Sequence, residues 1–365
     1  MATERDTILF VSLPQAIGGS NRSLVTLLET LEGTVVRVLA SPRPGTFAMF
    51  AEERKAFDEW FDLARKGSFS RVRRLWDGVR LALWAFRNRH RLTAIHANAT
   101  TGLNTATLAA VVSRRPLVAW IHDPVSTPWG RRLGPWVRRL VPRLRIAAVS
   151  PTAEAVAVEG GLCAAGDAVI VPNPLDPDDV VLRGPAVTEA LPHDGVTVAV
   201  LGGSTHRKGF DLIPAVVRAV EPQGVRWQLY IRHHPTADNG DTWAEIDAMG
   251  SVTVPGRIAD VRDAYAGADI VFVPSREESF CRVAAEAMMN AIPVVASDIP
   301  PLRHLLGDGA GLLFPPGDTA AAAAAIRKFA IDGEARKHAG AIGKKRSTVF
   351  LPEGVAAQML DLYGL

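Results

Sequence analysis

Cysteine and long apolar runs are scarce in this chain of 365 residues. Its two cysteines, Cys163 and Cys281, lie far apart and form neither a metal-ligand spacing nor a disulfide framework, so we expect a reducing compartment. No apolar run reaches the roughly 18 residues that a membrane-spanning helix needs. The segment from Met1 to Asp6 is charged and leads directly into an apolar strand, unlike a signal peptide. These absences predict a cytoplasmic protein.

Low-complexity tracts and a strong net charge are absent too. Lys and Arg total 41 against 38 Asp and Glu, which gives a formal net charge of +3. With 48% hydrophobic and 22% charged residues, the composition is globular and excludes a disordered chain. We expect no nucleic-acid partner. A chain of this length exceeds one ordinary core and predicts two domains of roughly 150 to 200 residues.

Basic residues are concentrated in two segments, 65–91 and 129–145. The first holds nine Lys or Arg and one acidic residue, and the second holds six Arg and no acidic residue. The tryptophans among them are Trp76, Trp84, Trp129 and Trp136. Such segments are typical of helices that rest on anionic membrane surfaces, here the inner face of the membrane. Alternatively, the arginines are solvated and Trp76 packs in the core with the apolar residues of its helical face. Those residues are Val72, Leu75, Val79, Leu83 and Phe86.

Apolar strand patterns alternate with helical patterns along the chain, which predicts an α/β fold with parallel sheets. The predicted strands are 7–13, 35–40, 94–97, 117–122, 146–150, 196–201, 227–231, 252–254 and 269–274. The predicted helices include 21–30 with Ser20 as N-cap, a long region up to about residue 91, and 104–113, 209–220, 259–266 and 352–363. Three prolines in residues 169–177 indicate a linker. The expected domains are 1–175 and 176–349, and whether the helix in 350–365 crosses back to the first domain is left open.

The most informative segment runs from Arg276 to Ala287 and joins a strand to an amphipathic helix. In α/β proteins such a helix aims its N-terminal amides at a ligand crevice, and those amides belong here to Phe280, Cys281 and Arg282. Glu286 could accept two hydrogen bonds from a ribose diol, and Glu278 could accept hydroxyls of a second ring. This pattern describes a nucleotide-sugar site. Alternatively, the two glutamates are a helix cap and a solvated residue.

Two further loops join a strand to a helix and suit phosphate binding. Gly18 and Gly19 allow a close backbone approach, although a tight turn explains them equally. The spacing is not G-x-G-x-x-G and no acidic residue ends the second strand, which disfavours a dehydrogenase. In the second half of the chain, Lys208 suits a diphosphate, and Arg207 could form a bidentate interaction with it through its guanidinium. Both could instead be solvated charges.

Polar residues also end two strands of the first half. His122 follows one strand and Asn98 ends its neighbour, whereas His96 is interpreted as structural. A lone histidine is more often structural, and only its position at a strand end favours a site. Asp176 and Asp178 form a D-x-D pattern inside the proline-rich linker, with no strand leading into it. We interpret this pair as turn chemistry and not as a metal site.

The run that includes Glu278 and Glu286 and continues to Ser297 resembles the Glu-x7-Glu motif of retaining glycosyltransferases of family 4, the glycosyl transferases group 1. The resemblance covers nearly the whole chain, is strongest over residues 200–320 and is weakest over 40–92. It implies the GT-B fold, in which two doubly wound Rossmann-like domains face each other across a cleft. The first domain would bind the acceptor and the second the donor.

The resemblance also implies an activity and a set of site residues. The activity is transfer of a sugar from a UDP- or GDP-linked donor to a hydroxyl group with retention of configuration, without a metal or other cofactor. A lipid-linked acceptor or a cell-surface polysaccharide precursor would suit the membrane interpretation. The implied catalytic residues are His122, Lys208 and Glu278. The implied donor-binding residues are Arg207, Lys208, Glu278, Phe280, Cys281, Arg282 and Glu286. Gly18 and Gly19 would meet acceptor or donor phosphates, and Asn98 would contact acceptor.

Two positions depart from the family pattern. Gly203 stands where the family usually has an Arg five residues before Lys208, and Arg207 is our candidate substitute. His304 stands where the family usually has Glu. A second hypothesis is therefore kept, a non-catalytic GT-B scaffold that binds sugar nucleotides or partner enzymes.

Overall fold

A computed structural model of the chain divides into two compact units. One comprises Met1–Pro174 and Phe350–Leu365, and the other comprises Leu175–Val349. The structure describes residues 5–13, 18–43, 45–63, 71–123, 128–181, 195–220, 224–231, 234–255, 260–307 and 309–365, apart from the side chains of 71–75, 128–132 and 179.

The first unit is built around a seven-stranded parallel sheet. Its strands are β1 (Thr7–Val11), β2 (Val36–Pro42), β3 (Glu59–Leu63), β4 (Leu92–Asn98), β5 (Leu117–Ile121), β6 (Leu144–Ala148) and β7 (Val169–Ile170). Its first six helices are α1 (Gly19–Thr30), α2 (Thr46–Glu53), α3 (Arg71–Arg87), α4 (Ala99–Ser113), α5 (Pro128–Leu140) and α6 (Pro151–Glu159). The strand order is β3-β2-β1-β4-β5-β6-β7.

The second unit is built around a six-stranded parallel sheet with the order β10-β9-β8-β11-β12-β13. The strands are β8 (Thr197–Gly202), β9 (Arg226–Ile231), β10 (Val252–Thr253), β11 (Ile270–Val273), β12 (Val294–Ser297) and β13 (Gly311–Phe314). The helices are α7 (Pro177–Val180), α8 (Ile213–Val220), α9 (Gly240–Asp247), α10 (Arg282–Met289), α11 (Pro300–Leu306), α12 (Thr319–Ile331) and α13 (Gly333–Arg346). Helix α14 (Pro352–Tyr363) follows them in the chain and belongs to the first unit.

The predicted α/β fold with two Rossmann-like domains is confirmed. The central strands are apolar at successive positions, and every residue of β1, β5 and β11 is buried, as expected for parallel strands covered on both faces. The strand order reverses between β1 and β4 and again between β8 and β11. In open α/β sheets, ligands bind beside the carboxyl ends of the strands at such switch points.

The long helical region predicted up to about residue 91 contains the helices α2 and α3, but it is wrong at residues 59–63, which form the strand β3. Strand β3 lies at the edge of the sheet beside β2. Its charged residues Glu59 and Asp62 interrupt the apolar pattern that would predict a strand. Arg37 of β2 ties this strand to the residue before β3, because its buried guanidinium donates from Nε to Asp58 at 3.0 Å. An edge strand needs only one buried face, so its sequence carries a weaker signal.

Three predicted helix details also differ in the structure. The N-cap of α1 is Gly18 and not Ser20, and Gly18 has no side chain to cap the helix. The predicted helix 209–220 is a 3₁₀ turn at Phe210–Leu212 followed by α8. The predicted helix 259–266 is a 3₁₀ turn at Val261–Ala264.

Helix α3 exposes three large residues of its predicted apolar face. Trp76 is 63% exposed, Leu83 51% and Phe86 46%, so the interpretation that Trp76 packs in the core is wrong. The buried side of the helix includes Gly78 and Leu81 and faces α4. A Cβ on Gly78 would lie 3.9 Å from Leu108 Cδ2, which shows how closely the two helices approach. Gly78 therefore allows α3 to pack closely on α4, while Trp76, Leu83 and Phe86 remain at the surface.

Helix α14 packs against α1, β4 and β5. Tyr363 is 1% exposed, and its hydroxyl lies 2.8 Å from Nδ1 of the buried His96. Arg145 donates to the carbonyl oxygen of Leu362 at 2.6 Å, at the end of the helix where carbonyls lack helical partners. The C-terminal helix is therefore part of the core of the first unit.

Candidate functional site

At the switch point of the second sheet, the loops that follow β8 and β11 carry an ion pair whose carboxylate is buried. Lys208 Nζ lies 2.5 Å from Glu278 Oε1, and Ser275 Oγ donates to the same oxygen at 2.9 Å. The Glu278 side chain is 8% exposed and that of Lys208 is 29% exposed. The sequence assigned separate roles to these two residues, and the structure brings them into contact. Glu278 supplies a buried carboxylate, and Lys208 supplies a cation that solvent can reach.

Gly209 fixes the position of the Lys208 loop. Its φ of +68° is left-handed, and a Cβ there would lie 2.0 Å from the carbonyl oxygen of Pro274. Only glycine fits both the conformation and the close approach. The loop after β8 is therefore locked against the end of β11, which brings Lys208 to Glu278.

Arg276 joins the same two loops through its backbone and its side chain. Its amide donates to the carbonyl of Arg207 at 2.9 Å, and its guanidinium donates to the carbonyl of His206 at 2.7 Å. The guanidinium also forms two hydrogen bonds with Asp211, at 2.7 and 2.8 Å. The exposed Arg207 donates to the carbonyl of Glu277 at 3.2 Å. These bonds hold the segment that presents Lys208.

Helix α10 begins directly after this pair of loops. Its N-cap, Cys281, has a left-handed φ of +75° and makes no side-chain cap. Phe280 and Cys281 are both buried, and Arg282 is the first helical residue. Burial and the nearby Glu278 raise the pKa of the Cys281 thiol, so the thiol stays protonated. The predicted amide donors therefore lie at the start of this helix, where its positive dipole end favours anions.

The carboxylate of Glu286 is held one helical turn further into α10. Arg282 Nη2 lies 3.2 Å from Oε1, and the Tyr265 hydroxyl donates to Oε2 at 2.8 Å. The Tyr265 side chain is 1% exposed. Sequence reasoning missed both Tyr265 and Ser275. Ser275 directly follows a predicted strand, which is a usable signal, whereas Tyr265 lies inside a segment predicted as helix and carries none.

A pocket opens at the ends of β8 and β11. The residues around it include Gly202, Gly203, Lys208, Ser275, Glu278 and Cys281. Most of its lining residues are apolar, and the ion pair of Lys208 and Glu278 is among them. An ammonium group beside helix-end amides can bind a phosphate group.

At the switch point of the first sheet, three buried polar residues bond to one another. Ser12 donates to Asn21 at 3.1 Å, and Asn98 Nδ2 lies 3.3 Å from both Ser12 Oγ and Asn21 Oδ1. Asn98 has no exposed surface. These bonds tie β4 to the start of α1, and the contact of Asn98 with acceptor stays a prediction.

His122 lies at the carboxyl end of β5, as predicted. Its ring centroid is 4.4 Å from that of Trp120, and it is 9% exposed. The next residue, Asp123, accepts a hydrogen bond from the amide of Thr100 at 3.0 Å. Gly18 and Gly19 are exposed at the start of α1, while residues 14–17 of the same loop lie outside the described residues.

Asp176 caps α7, and its carboxylate accepts from the amide of Asp178 at 2.8 Å, as the turn interpretation predicts. Within the described ranges, no three His, Cys, Asp or Glu side chains are grouped to hold a metal ion. None of the helices in those ranges has the length and apolar character needed to cross a membrane.

Helix α5, in the second basic segment, exposes Trp136 by 61% and Leu140 by 53%. Like α3, it packs against α4. Arg138, Arg139 and Arg143 are exposed on and beside it. Residues 65–70 and the side chains of 71–75 and 129–132 lie outside the described residues.

Several curated proteins resemble this chain. Phosphatidyl-myo-inositol mannosyltransferase of Mycobacterium leprae is 28% identical over 286 residues, which are 74% of this chain and 72% of that protein. The Mycobacterium tuberculosis enzyme of the same name is 31% identical over 256 residues, 65% of this chain and 64% of that protein. D-inositol 3-phosphate glycosyltransferase of Xylanimonas cellulosilytica is 34% identical over 191 residues, and the match spans 50% of this chain and 39% of that relative.

Solved structures share the fold over almost the whole chain. HepE of Anabaena in complex with UDP and glucose superposes with a TM-score of 0.82 at 20% identity, covering 98% of this chain and 99% of that one. A glycosyltransferase of Rickettsia africae gives a TM-score of 0.84 at 16% identity, covering 99% and 98%.

Two family descriptions match consecutive parts of the sequence. Glycosyltransferase Family 4 matches residues 17–179, and Glycosyl transferases group 1 matches residues 188–346. The first match lies almost entirely in the first unit, and the second match lies within the second unit. The chain therefore belongs to the glycosyl transferases group 1 and has the GT-B fold.

Proposed function

We propose that this protein transfers a sugar from a UDP- or GDP-linked donor to a hydroxyl acceptor. The observation that carries the proposal is the Lys208–Glu278 pair, 2.5 Å apart beside the start of α10 at the switch point between β8 and β11. Relatives named as mannosyltransferases and inositol phosphate glycosyltransferases support it. So do HepE structures with UDP and with UDP-glucose.

Each group has a defined part in this proposal. Lys208 and the amides that begin α10 stabilise the negative charge that develops on the leaving diphosphate. Glu278 accepts hydroxyls of the transferred sugar, and Glu286 accepts those of the ribose. Arg207 supplies a second cation for the diphosphate. When the donor binds, Lys208 must shift from Glu278 towards phosphate, which frees the carboxylate for the sugar.

The first unit supplies the remaining proposed residues. His122, at the end of β5, contacts the transferred sugar or the leaving phosphate. Gly18 and Gly19, exposed at the start of α1, admit a phosphate or the acceptor to the helix N-terminus. His122→Ala should reduce kcat by about tenfold or more, and an unchanged kcat would remove His122 from the site.

Variants of the ion pair separate the enzyme from a non-catalytic scaffold. Lys208→Ala should raise the dissociation constant of the sugar donor about tenfold to a hundredfold, because a charge-assisted hydrogen bond contributes roughly 1.5–3 kcal/mol. Glu278→Gln should abolish turnover while the fold and nucleotide binding persist. If the native chain binds nucleotide sugars but turns over none of them with any acceptor, the scaffold hypothesis replaces the enzyme.

Retention of configuration and independence from metal ions are parts of the same proposal. An α-linked donor should give an α-configured product by NMR, and a β-configured product would refute retention. Addition of EDTA should leave the rate unchanged, and loss of activity that Mg²⁺ or Mn²⁺ restores would refute metal independence.

We further propose that α3 and α5 place the protein on an anionic membrane surface and give access to a lipid-linked acceptor. Both helices pack on α4 and expose large apolar residues, Trp76 and Phe86 on one and Trp136 and Leu140 on the other. Arginines border these residues. Exposed tryptophan and leucine flanked by arginine suit the boundary between lipid headgroups and acyl chains.

Sedimentation with phosphatidylglycerol vesicles tests the membrane proposal. The protein should bind at low salt and dissociate at high salt, because part of the attraction is electrostatic. Trp76→Ala combined with Trp136→Ala should weaken binding. Ile331→Ala is the matched control, since Ile331 is 78% exposed on α12 of the other unit. Absence of binding at low salt, or equal loss in the control, would end this proposal.

A further inference from the structure

The carboxylate of Glu286 already has one partner on each oxygen, an ion pair on Oε1 and a hydrogen bond on Oε2. Arg282 lies at 3.2 Å from Oε1, and the Tyr265 hydroxyl donates to Oε2 at 2.8 Å. An ionised carboxylate has about four lone-pair sites. These two contacts leave about two sites, one on each oxygen, which is what a vicinal diol requires.

Tyr265 is well placed to act as a fixed donor. It follows the 3₁₀ turn Val261–Ala264, whose first residue is preceded by Asp260, and the Asp260 carboxylate accepts from the amide of Arg262 at 2.9 Å. Its ring is buried, so its hydroxyl has few acceptors to choose from. The carbonyl of Val283 lies at 3.4 Å, further away than Glu286.

The protonation state of Tyr265 is fixed as well. Burial and the adjacent Glu286 raise the pKa of the phenol well above its ordinary value. The hydroxyl therefore carries its proton throughout the physiological range. Toward the Glu286 carboxylate it is therefore a hydrogen-bond donor, and it adds no second negative charge beside that group.

We infer that Tyr265 is a positioning residue that sets the rotation of the Glu286 carboxylate and so makes the site select ribose over 2′-deoxyribose. The inference rests on the proposed function, in which Glu286 receives the ribose of the donor. A carboxylate that rotates freely would still meet one hydroxyl. Held by Arg282 on one oxygen and Tyr265 on the other, it meets both hydroxyls at once, and the loss of either becomes costly.

The test is calorimetric titration of the full chain with UDP and GDP and then with the 2′-deoxy form of the nucleotide that binds. The native chain should bind the ribonucleotide about tenfold more tightly or better, because the missing hydroxyl leaves a buried acceptor of Glu286 unpaired. In Tyr265→Phe the ratio should fall to about twofold, mostly through weaker ribonucleotide binding. This loss of discrimination is a readout that a purely structural role would not move.

Tyr363→Phe is the matched control. It also removes a buried tyrosine hydroxyl, one that lies 2.8 Å from His96 Nδ1 in the first unit, and it should leave the ratio unchanged. If Tyr265→Phe fails to fold, 3-fluorotyrosine at position 265 keeps the hydroxyl but alters its donor strength, and the ratio must change. An unchanged ratio in the folded variant overturns the inference and leaves the proposed function standing. Absence of nucleotide binding by the native chain overturns the proposed function, and the inference with it.

Discussion

Cys281 occupies a backbone conformation that favours glycine. Its φ of +75° is left-handed, and such a conformation costs a residue with a side chain on the order of 1 kcal/mol. The strain lies at the first turn of α10, beside the Lys208–Glu278 pair, where it sets the course of the chain into the helix. Strained backbone of this kind is concentrated at functional sites.

We therefore expect Cys281→Gly to leave stability unchanged or to raise the free energy of unfolding by up to about 1 kcal/mol. Cys163→Gly is the matched control, since Cys163 is also buried but lacks the positive φ, and it should destabilise by about 1–2 kcal/mol. Urea unfolding of both variants provides the measurement. Equal destabilisation by the two substitutions would show that Cys281 is not strained.

His96 gives the first unit a predictable response to pH. Burial lowers the pKa of His96 from 6.5 to about 3. Between these two pH values, His96 is therefore mostly neutral in the folded chain and mostly protonated in the unfolded chain. The stability that this histidine contributes is complete above pH 6.5 and is lost as the pH falls from 6.5 towards 3, by about 1.4 kcal/mol per pH unit.

His96→Gln should remove that part of the pH dependence. Between pH 7 and pH 5, the native chain should lose about 2 kcal/mol more stability than the variant, measured by urea unfolding of the first unit. Identical slopes for the two proteins would mean that His96 is already exposed to protons in the folded state.

At the scale of elements, the loop after β8 depends on one glycine. An alanine at Gly209 would bring its Cβ within 2.0 Å of the carbonyl oxygen of Pro274, so the loop must shift and Lys208 with it. Gly209→Ala should raise the dissociation constant of the sugar donor by about tenfold or more, and it should destabilise the protein by about 1–3 kcal/mol. The exposed Gly250 has open space and ordinary backbone angles, so Gly250→Ala should do neither. If both variants use donor normally, the loop is not the support of Lys208.

The elements also show what sequence patterns can and cannot predict. Buried central strands such as β1 and β11 were predictable to within one or two residues, because both faces are apolar. Helix α3 was predicted with Trp76 inward, whereas the side that faces α4 includes Gly78, which a hydrophobic pattern does not mark. The edge strand β3 was missed because charged residues interrupt it.

The site shows the same division. Lys208, Glu278 and Glu286 could be predicted because strand ends and helix starts mark them. The contact between Lys208 and Glu278 could not, since it joins loops 70 residues apart in the chain. Tyr265 reaches Glu286 only through tertiary packing, and no spacing in the sequence indicates it.

For the whole molecule, two units with separate cores imply separable effects on stability and binding. Met359 on α14 and Ile326 on α12 are both fully buried, the first in the unit that holds β1 and the second in the unit that holds β8. Met359→Ala and Ile326→Ala should each cost about 2–5 kcal/mol. A nucleotide at a hundred times its dissociation constant should add roughly 2.7 kcal/mol to the unit that binds it.

Calorimetric scans of the two variants, with and without nucleotide, distinguish the units. The transition that Ile326→Ala lowers should be the one that the nucleotide raises, and the transition that Met359→Ala lowers should move less. The opposite assignment would place the donor in the first unit and contradict the roles proposed for Lys208 and Glu286.

The central claim, a nucleoside diphosphate site built on Lys208 and Glu286, is tested most directly by titrating UDP and GDP into the native chain and into Lys208→Ala, Glu286→Gln and Tyr363→Phe. We predict saturable binding of one nucleotide by the native chain and by Tyr363→Phe, and binding at least tenfold weaker in the other two variants. Equal affinity in all four proteins, or no binding of either nucleotide by the native chain, would contradict the account.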